Sequence, residues 1–207
     1  MTFLRFFFLV AFLYGCASAS KQSTSLPYYG WDESPDFSEL RRVWGDADNF
    51  AELCEAGRPL NGVIEKMNAE QWESAAAMGL RWLEQCPVDI RGHYFTAVSL
   101  EESGRGQDAE AHYRWTKGLM DSLVASGDGE SPETAYVTIS VAEEYDALYF
   151  FGLEKKSQAL ISGPIMCDLL TATNEEGKTF RIYFNPAAHF VRLAKWAGEV
   201  AEKIEKD

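Results

Sequence analysis

The 207-residue chain is short of cations: 19 Lys and Arg stand against 32 Asp and Glu, a net charge of −13. A nucleic-acid groove needs a basic stripe to displace counterions, so this balance argues against a phosphate-backbone partner. Cysteine is scarce as well. The chain has four, with neither a CxxC nor a Cys/His spacing that would mark a zinc or redox motif. Histidines number three, and there is no Gly-rich phosphate cradle, no nucleophile elbow and no HExxH. Downstream of the N-terminus no apolar run approaches the roughly 20 residues of a membrane-spanning helix. What is present is 46% apolar and 14% aromatic sequence. That supplies a sizeable core for one or two domains and argues against disorder.

The single long apolar stretch opens the chain. Arg5 precedes uninterrupted apolar residues from Phe6 to Tyr14, and Gly15-Cys16-Ala17-Ser18-Ala19 is small, the plan of a secretory signal peptide over residues 1–15. Two cleavage readings stand side by side. Leu13-Tyr14-Gly15-Cys16 resembles a bacterial lipobox, although Tyr14 is larger than usual there, and would leave an acylated Cys16 as the first mature residue. Ala17-Ser18-Ala19 reads instead as an ordinary cleavage site before Ser20. The expectation is an exported protein, periplasmic or tethered to the membrane by a lipid on Cys16. Residues 16–35, rich in Ser, Pro, Tyr and Gly from Lys21 onward, read as the tether. Of the later cysteines, Cys54 and Cys86 could form a disulfide within the helical half, or Cys54, Cys86 and Cys167 could be three buried thiols.

Residues 36–125 carry helical periodicity. Phe37, Leu40, Val43 and Trp44 recur at helical spacing, as do Phe50, Ala51 and Cys54, before Gly57-Arg58-Pro59 interrupts. From Leu60 to Leu119 a weak repeat emerges, Ala75 and Ala109 being 34 residues apart, the tetratricopeptide period. Trp72, Ala75, Ala76 and Leu83 mark one second helix; Ala109, Tyr113 and Leu119 mark the other. Ala97 and the Gly104-Arg105-Gly106 turn fit the pattern, whereas Gly79 and Trp82 depart from it. Two ordinary antiparallel helix pairs would read the same way.

At residues 126–207 the character changes. Ser126 to Glu133 is a turn-forming run, Thr134 to Val141 alternates as a half-buried strand, and Ala142 to Phe151 is helical with Gly152 at C′. Ser157–Ser162 and Cys167–Thr173 are β-prone, and Thr179–Phe184 closes a hairpin through residues 174–178. Asn185-Pro186 then caps a last helix with a continuous apolar face from Phe190 to Ile204. The predicted fold class is α+β: tetratricopeptide-like helical hairpins, then a small antiparallel sheet covered by the C-terminal helix.

The run Ser126 to Tyr136, then Ile139-Ser140-Val141-Ala142-Glu143-Glu144-Tyr145-Asp146 and Ile182-Tyr183-Phe184-Asn185, resembles the bacterial domain-of-unknown-function 4919 family. The likeness reaches upstream through Pro35-Asp36-Phe37 and Asp89-Ile90-Arg91-Gly92-His93 to His112. It implies an exported bacterial protein, often lipid-anchored, with no assigned activity.

Candidate chemistry is sparse. His93 and His112 fall on consecutive helices where antiparallel packing brings them together, and with a carboxylate from Asp128 or Glu144 they could hold a divalent metal or act as acid and base. A pair of packing histidines is the alternative. Asp128 between two glycines is either a ligand contact or a plain turn, and Glu143 and Glu144 suit the positive end of a helix without any chemistry. No cofactor is required by the pattern. The functional expectation is a noncatalytic module that binds a protein or peptide in the cell envelope; the other reading is a metal-dependent or acid/base enzyme at His93/His112.

Overall fold

The computed structural model describes residues 26–204; residues 1–15, expected as a signal peptide, Cys16 and the first part of the segment expected as a tether lie outside the described residues. Helix α1, Phe37–Gly45, starts where the Asp36 carboxylate accepts the backbone N–H groups of Ser38 and Glu39. A single π-helical turn, Ala51–Glu55, follows. Then come α2 (Leu60–Asn68), α3 (Trp72–Gln85), α4 (Ile90–Glu102) and α5 (Gly106–Val124), packed in sequence as antiparallel neighbours. Gly79 sets the closest approach among them. A Cβ there would sit 2.1 Å from Thr96 Oγ1 of α4, so the residue that departs from the repeat pattern is the one that lets α3 and α4 touch.

Cys54 and Cys86 form a disulfide, Cα to Cα 5.1 Å, that staples the π-helical turn to the end of α3. Cys167 is a buried free thiol. The second half of the segment read as a tether is packed down: Leu26, Tyr29 and Trp31 lie against the core, the Trp44 indole donates to the Pro27 carbonyl, and the Trp115 indole donates to the carbonyl of Trp31.

The C-terminal part holds β1 (Tyr136–Val137), α6 (Val141–Phe150), β2 (Glu154–Ile161), β3 (Cys167–Thr173), β4 (Thr179–Asn185) and α7 (Ala187–Ile204). The fold class is α+β. The sheet is mixed, in the order β1-β4-β3-β2, because β1 joins β4 in parallel while the other pairs are antiparallel. The strand expected over 134–141 shrinks to two residues. Val137 is exposed and Thr138 buried, so the alternation fails, and Ser140 turns out to be the N-cap of α6, its hydroxyl accepting from the Glu143 N–H.

One core joins the two halves: Leu40, Trp44, Leu83, Ile90, Trp115 and Leu119 from the helices meet Ile139, Leu148, Leu170 and Phe184 from the α+β part. The C-terminal helix does not share in it. Leu193 and Trp196 are 50% and 62% exposed, and α7 stands beside residues 45–55 instead of lying on the sheet. Its anchor is Arg192, whose guanidinium donates to the carbonyls of Gly45 and Ile139 and lies over the Phe50 ring.

Candidate functional site

Antiparallel packing of α4 on α5 brings His93 and His112 into contact, Nδ1 to Nδ1 2.9 Å. Both rings are buried. His93 is stacked on Trp115 at 5.0 Å, and Trp31 closes over the pair with ring centroids 5.4 and 5.3 Å away. Burial, then the neighbouring His112, pushes His93 down to about 3. Burial likewise lowers His112 to about 4, with Asp108 opposing and Arg105 assisting. Both are therefore neutral at pH 7. The hydrogen bonds then fix the tautomers. The Pro87 carbonyl can only accept, so His93 Nε2–H donates to it at 3.0 Å. His93 Nδ1 must accept from His112 Nδ1–H, and His112 Nε2 is left as an acceptor.

His112 lines a surface groove of about 490 Å³, together with Trp31 and Asp32, Leu80 of α3, Arg105 at the start of α5, and Gln107, Asp108, Glu110 and Arg114 of α5. The buried imidazole is thus part of the lining of an otherwise charged and polar trough.

The carboxylates expected to complete a metal site are elsewhere. No group of three metal-capable side chains occurs among the described residues. Asp128 is exposed, its Oδ1 accepting from the Glu130 N–H, in a turn whose function is connective: the N–H groups of Asp128 and Gly129 both donate to the Thr134 carbonyl, and the Gly129 carbonyl accepts from Tyr183 of β4. Gly129 has φ +69° and would place a Cβ 2.6 Å from the Tyr136 ring, so glycine is needed there by backbone and space alike.

Glu144 lies near Asp168 of β3. Fully buried, it has no hydrogen-bond donor beside either carboxyl oxygen, and burial together with Asp168 of β3 raises it to about 9. It is protonated at neutral pH.

Two buried ionic clusters escaped the sequence reading. Arg41 of α1 grips Glu143 with both arms, at 2.8 and 2.9 Å, while also donating to Ser122 and the Val137 carbonyl. In the second cluster Arg58 bridges Asp89 and Asp146, each at 2.6 Å, and Arg91 reaches Asp146 at 2.5 Å. Asp89 also caps α4 through the Gly92 N–H and accepts from the Trp82 indole. Burial opposes its ionisation, yet Arg58 and these donors hold it below the usual carboxylate range. Asp146 is pushed up by burial and by Asp89, against the pull of Arg58 and Arg91. A small cavity of about 20 Å³, the size of one water, sits between this cluster, Glu143 and the disulfide. The partners are 31 to 102 residues apart, so no local spacing announces them. The one available signal is that Glu143, Glu144 and Asp146 put more acid on the start of α6 than a helix terminus requires.

The segments Asp89 to His93 and Glu143 to Asp146 therefore meet in space, through Arg58 and Arg91. A family model described as Domain of unknown function (DUF4919) matches residues 46–190. The chain belongs to this DUF4919 family. No curated protein and no solved structure matches the chain. The span matched by the DUF4919 model contains the histidine pair, the Gly127-Asp128-Gly129 turn, the disulfide and the cluster around Asp146. Trp31, Arg41 and all but the root of α7 fall outside it.

Proposed function

We propose that this DUF4919 protein is an exported, lipid-tethered, noncatalytic interaction module of the bacterial cell envelope, whose tetratricopeptide-like hairpins α2–α5 receive a protein or peptide partner. The observation that carries the reading is the trough of about 490 Å³ beside α5. It is polar and open, with Trp31 and Leu80 as apolar contacts, Glu110 and Arg114 as charged groups, and the His112 acceptor in its lining. A peptide backbone carries the N–H donors such a surface needs. Helix-hairpin stacks bind extended segments on surfaces of this kind. Two further features support the compartment: the signal-like residues 1–15 with Cys16, and a cross-link between Cys54 and Cys86, which persists in oxidising surroundings.

The histidines contribute to this trough by shape and hydrogen bonding. Three of their four ring nitrogens are spent on each other and on Pro87, which leaves little for a metal or for proton transfer. The test is photo-cross-linking in native envelopes from probes at Gln107 and Arg114, compared with probes at Glu175 and Glu176 on the β3–β4 turn. Adducts from the α5 positions are expected. Adducts confined to the hairpin would overturn the assignment of the trough.

A further inference from the structure

The two edges of the sheet are unequal. At one stands β1, of two residues, and at the other β2, of eight, Glu154–Ile161. The backbone of β2 bonds to β3 on its inner side. Among the described residues, no N–H or C=O group of Glu154–Ile161 has a hydrogen bond outside that ladder. The outward groups form a row of donors and acceptors at the spacing of a strand, which another extended strand satisfies. Every residue of β2 but Ile161 is exposed, and this includes the inner face. Residues opposite one another in an antiparallel pair share a face. Lys155 lies across from Ala172, Gln158 from Leu170 and Leu160 from Asp168, so these three are on the side that faces the core, where Leu170 and Ala172 are buried. Helix α6 reaches the first two: the Tyr145 hydroxyl donates to Gln158 at 2.6 Å and accepts from Lys155 at 3.2 Å. Leu160, past the end of this cover, is 54% exposed.

Charge, bulges and proline are the usual guards of such an edge, and here they stand at its two ends. Glu154, Lys155 and Lys156, with the register shift between Lys155 and Ser157, occupy the start, and Gly163-Pro164 closes the run. Between them Ser157-Gln158-Ala159-Leu160-Ile161-Ser162 carries no charge. This run is its own complement. Two copies laid antiparallel about a two-fold axis at Ala159 or at Leu160 keep inner side chains on the inner face. The two Leu160 side chains then stand diagonally or directly across from each other, and Glu154, Lys155 and Lys156 fall opposite uncharged residues of 162–166. A second copy therefore brings no like charges together at the edge, whereas a partner chosen by charge has nothing to read on this run.

We propose that the occupant of this edge is β2 of a second copy, so that the four-stranded sheets of two chains run on as one across an isologous dimer interface. Backbone hydrogen bonds supply the pairing, and the Leu160 side chains supply the apolar contact that covers the overhanging inner face. Each chain carries a net charge of −13, so the two bodies repel one another at long range. The dimer accordingly strengthens as added salt screens that repulsion.

The test uses the full chain as the cell processes it, in nonionic detergent, and reads its mass by sedimentation velocity across a concentration series with and without added salt. A dimer that grows with concentration and with salt is expected. Leu160→Lys, a change at an exposed side chain that sets like charges beside the axis, should give the monomer with an unchanged circular dichroism spectrum. Amide exchange in β2 should be slowed in the parent dimer and fast in this variant. Of Ala159→Cys and Leu160→Cys, the one standing on the axis should join two chains through a disulfide with dioxygen as oxidant, and Glu176→Cys on the β3–β4 turn should not. A chain that stays monomeric at its highest soluble concentration, in added salt as well, would overturn the proposal. A dimer that survives Leu160→Lys and gives no cross-link from either strand variant would place the interface elsewhere and overturn it too. So would β2 amides that remain protected in the monomer, since a segment of the same chain would then cover the edge.

Discussion

Glu144 and the histidine pair bias folding in opposite directions as pH changes. Glu144 is raised in the folded state to about 9, so the native protein holds a proton that the unfolded chain releases near the ordinary Glu value of about 4.3. Its contribution is complete below that value and is lost as pH climbs towards 9. His93 and His112, lowered to about 3 and about 4, do the reverse. The unfolded chain takes up their protons below about 6.5, so stability is lost as pH falls from there. Between about 4.5 and 6.5 the two effects oppose one another. Glu144→Gln keeps a neutral side chain of the same shape and removes one of them. Urea midpoints of this variant are expected to exceed those of the parent at pH 8–9, and to fall more steeply than the parent's between pH 6.5 and 4.5. A parallel pair of pH profiles would contradict the buried-acid assignment.

Asp146 and Arg58 belong to the same scale. Removing one partner of a buried charge pair leaves the other uncompensated, at about 3–5 kcal/mol. Arg58→Met should destabilise by roughly that amount in denaturant melts. The double change Arg58→Met with Asp146→Leu should cost less than the sum of the two singles, because each single already breaks the Arg58–Asp146 pair and the double breaks it only once.

Among the elements, what could be read from sequence and what could not divides along physical lines. Helices α3 to α5 show in the periodicity of Ala75, Ala76, Leu83 and Ala109 because each buries one face. Gly152 after α6, with φ +67°, and the Asn174–Lys178 hairpin turn are legible because caps and tight turns are local. Ala135, Val137 and Ile139 alternate in type and predict an eight-residue strand, but β1 has two residues because Arg41 takes the Val137 carbonyl and Ser140 caps α6. The placement of α7 was missed because an apolar stripe records a need for cover and not the identity of the cover. His93 and His112 could be paired from helix geometry, but the carboxylates could not, since Asp128 and Glu144 are held by contacts distant in sequence. The disulfide is the element-level device with a direct readout. Closing a loop of 32 residues in sequence separation, it should contribute about 2–5 kcal/mol. Cys54→Ala with Cys86→Ala should lower the thermal midpoint accordingly, and reducing agent should no longer shift it.

For the molecule as a whole, the two sequence regions share one core, so they should unfold in a single transition despite the change of character at residue 126. Near-UV circular dichroism, which reports Trp31, Trp44, Trp82 and Trp115 in the helical part, should melt together with amide-exchange protection in β3 and β4. Removal of α7 after Pro186 is expected to leave that transition in place. It sacrifices the Arg192 hydrogen bonds to two carbonyls and little of the core, at about 3 kcal/mol or less.

The way the chain enters the fold also determines how it would carry a mechanical load. Tension drawn on the N-terminus of the described chain arrives first at residues 26–31, a short strap pinned by two indole N–H groups, those of Trp44 and Trp115, and by the Trp31 ring against the histidine pair. These fastenings are arranged one after another along the strap, so a pull peels them in turn, and α1 feels the force only once Trp31 has left its seat. The strap works as a sacrificial link: a protein tugged away from its anchorage would uncover the His93–His112 pair and the wall of the α5 trough before any helix had yielded.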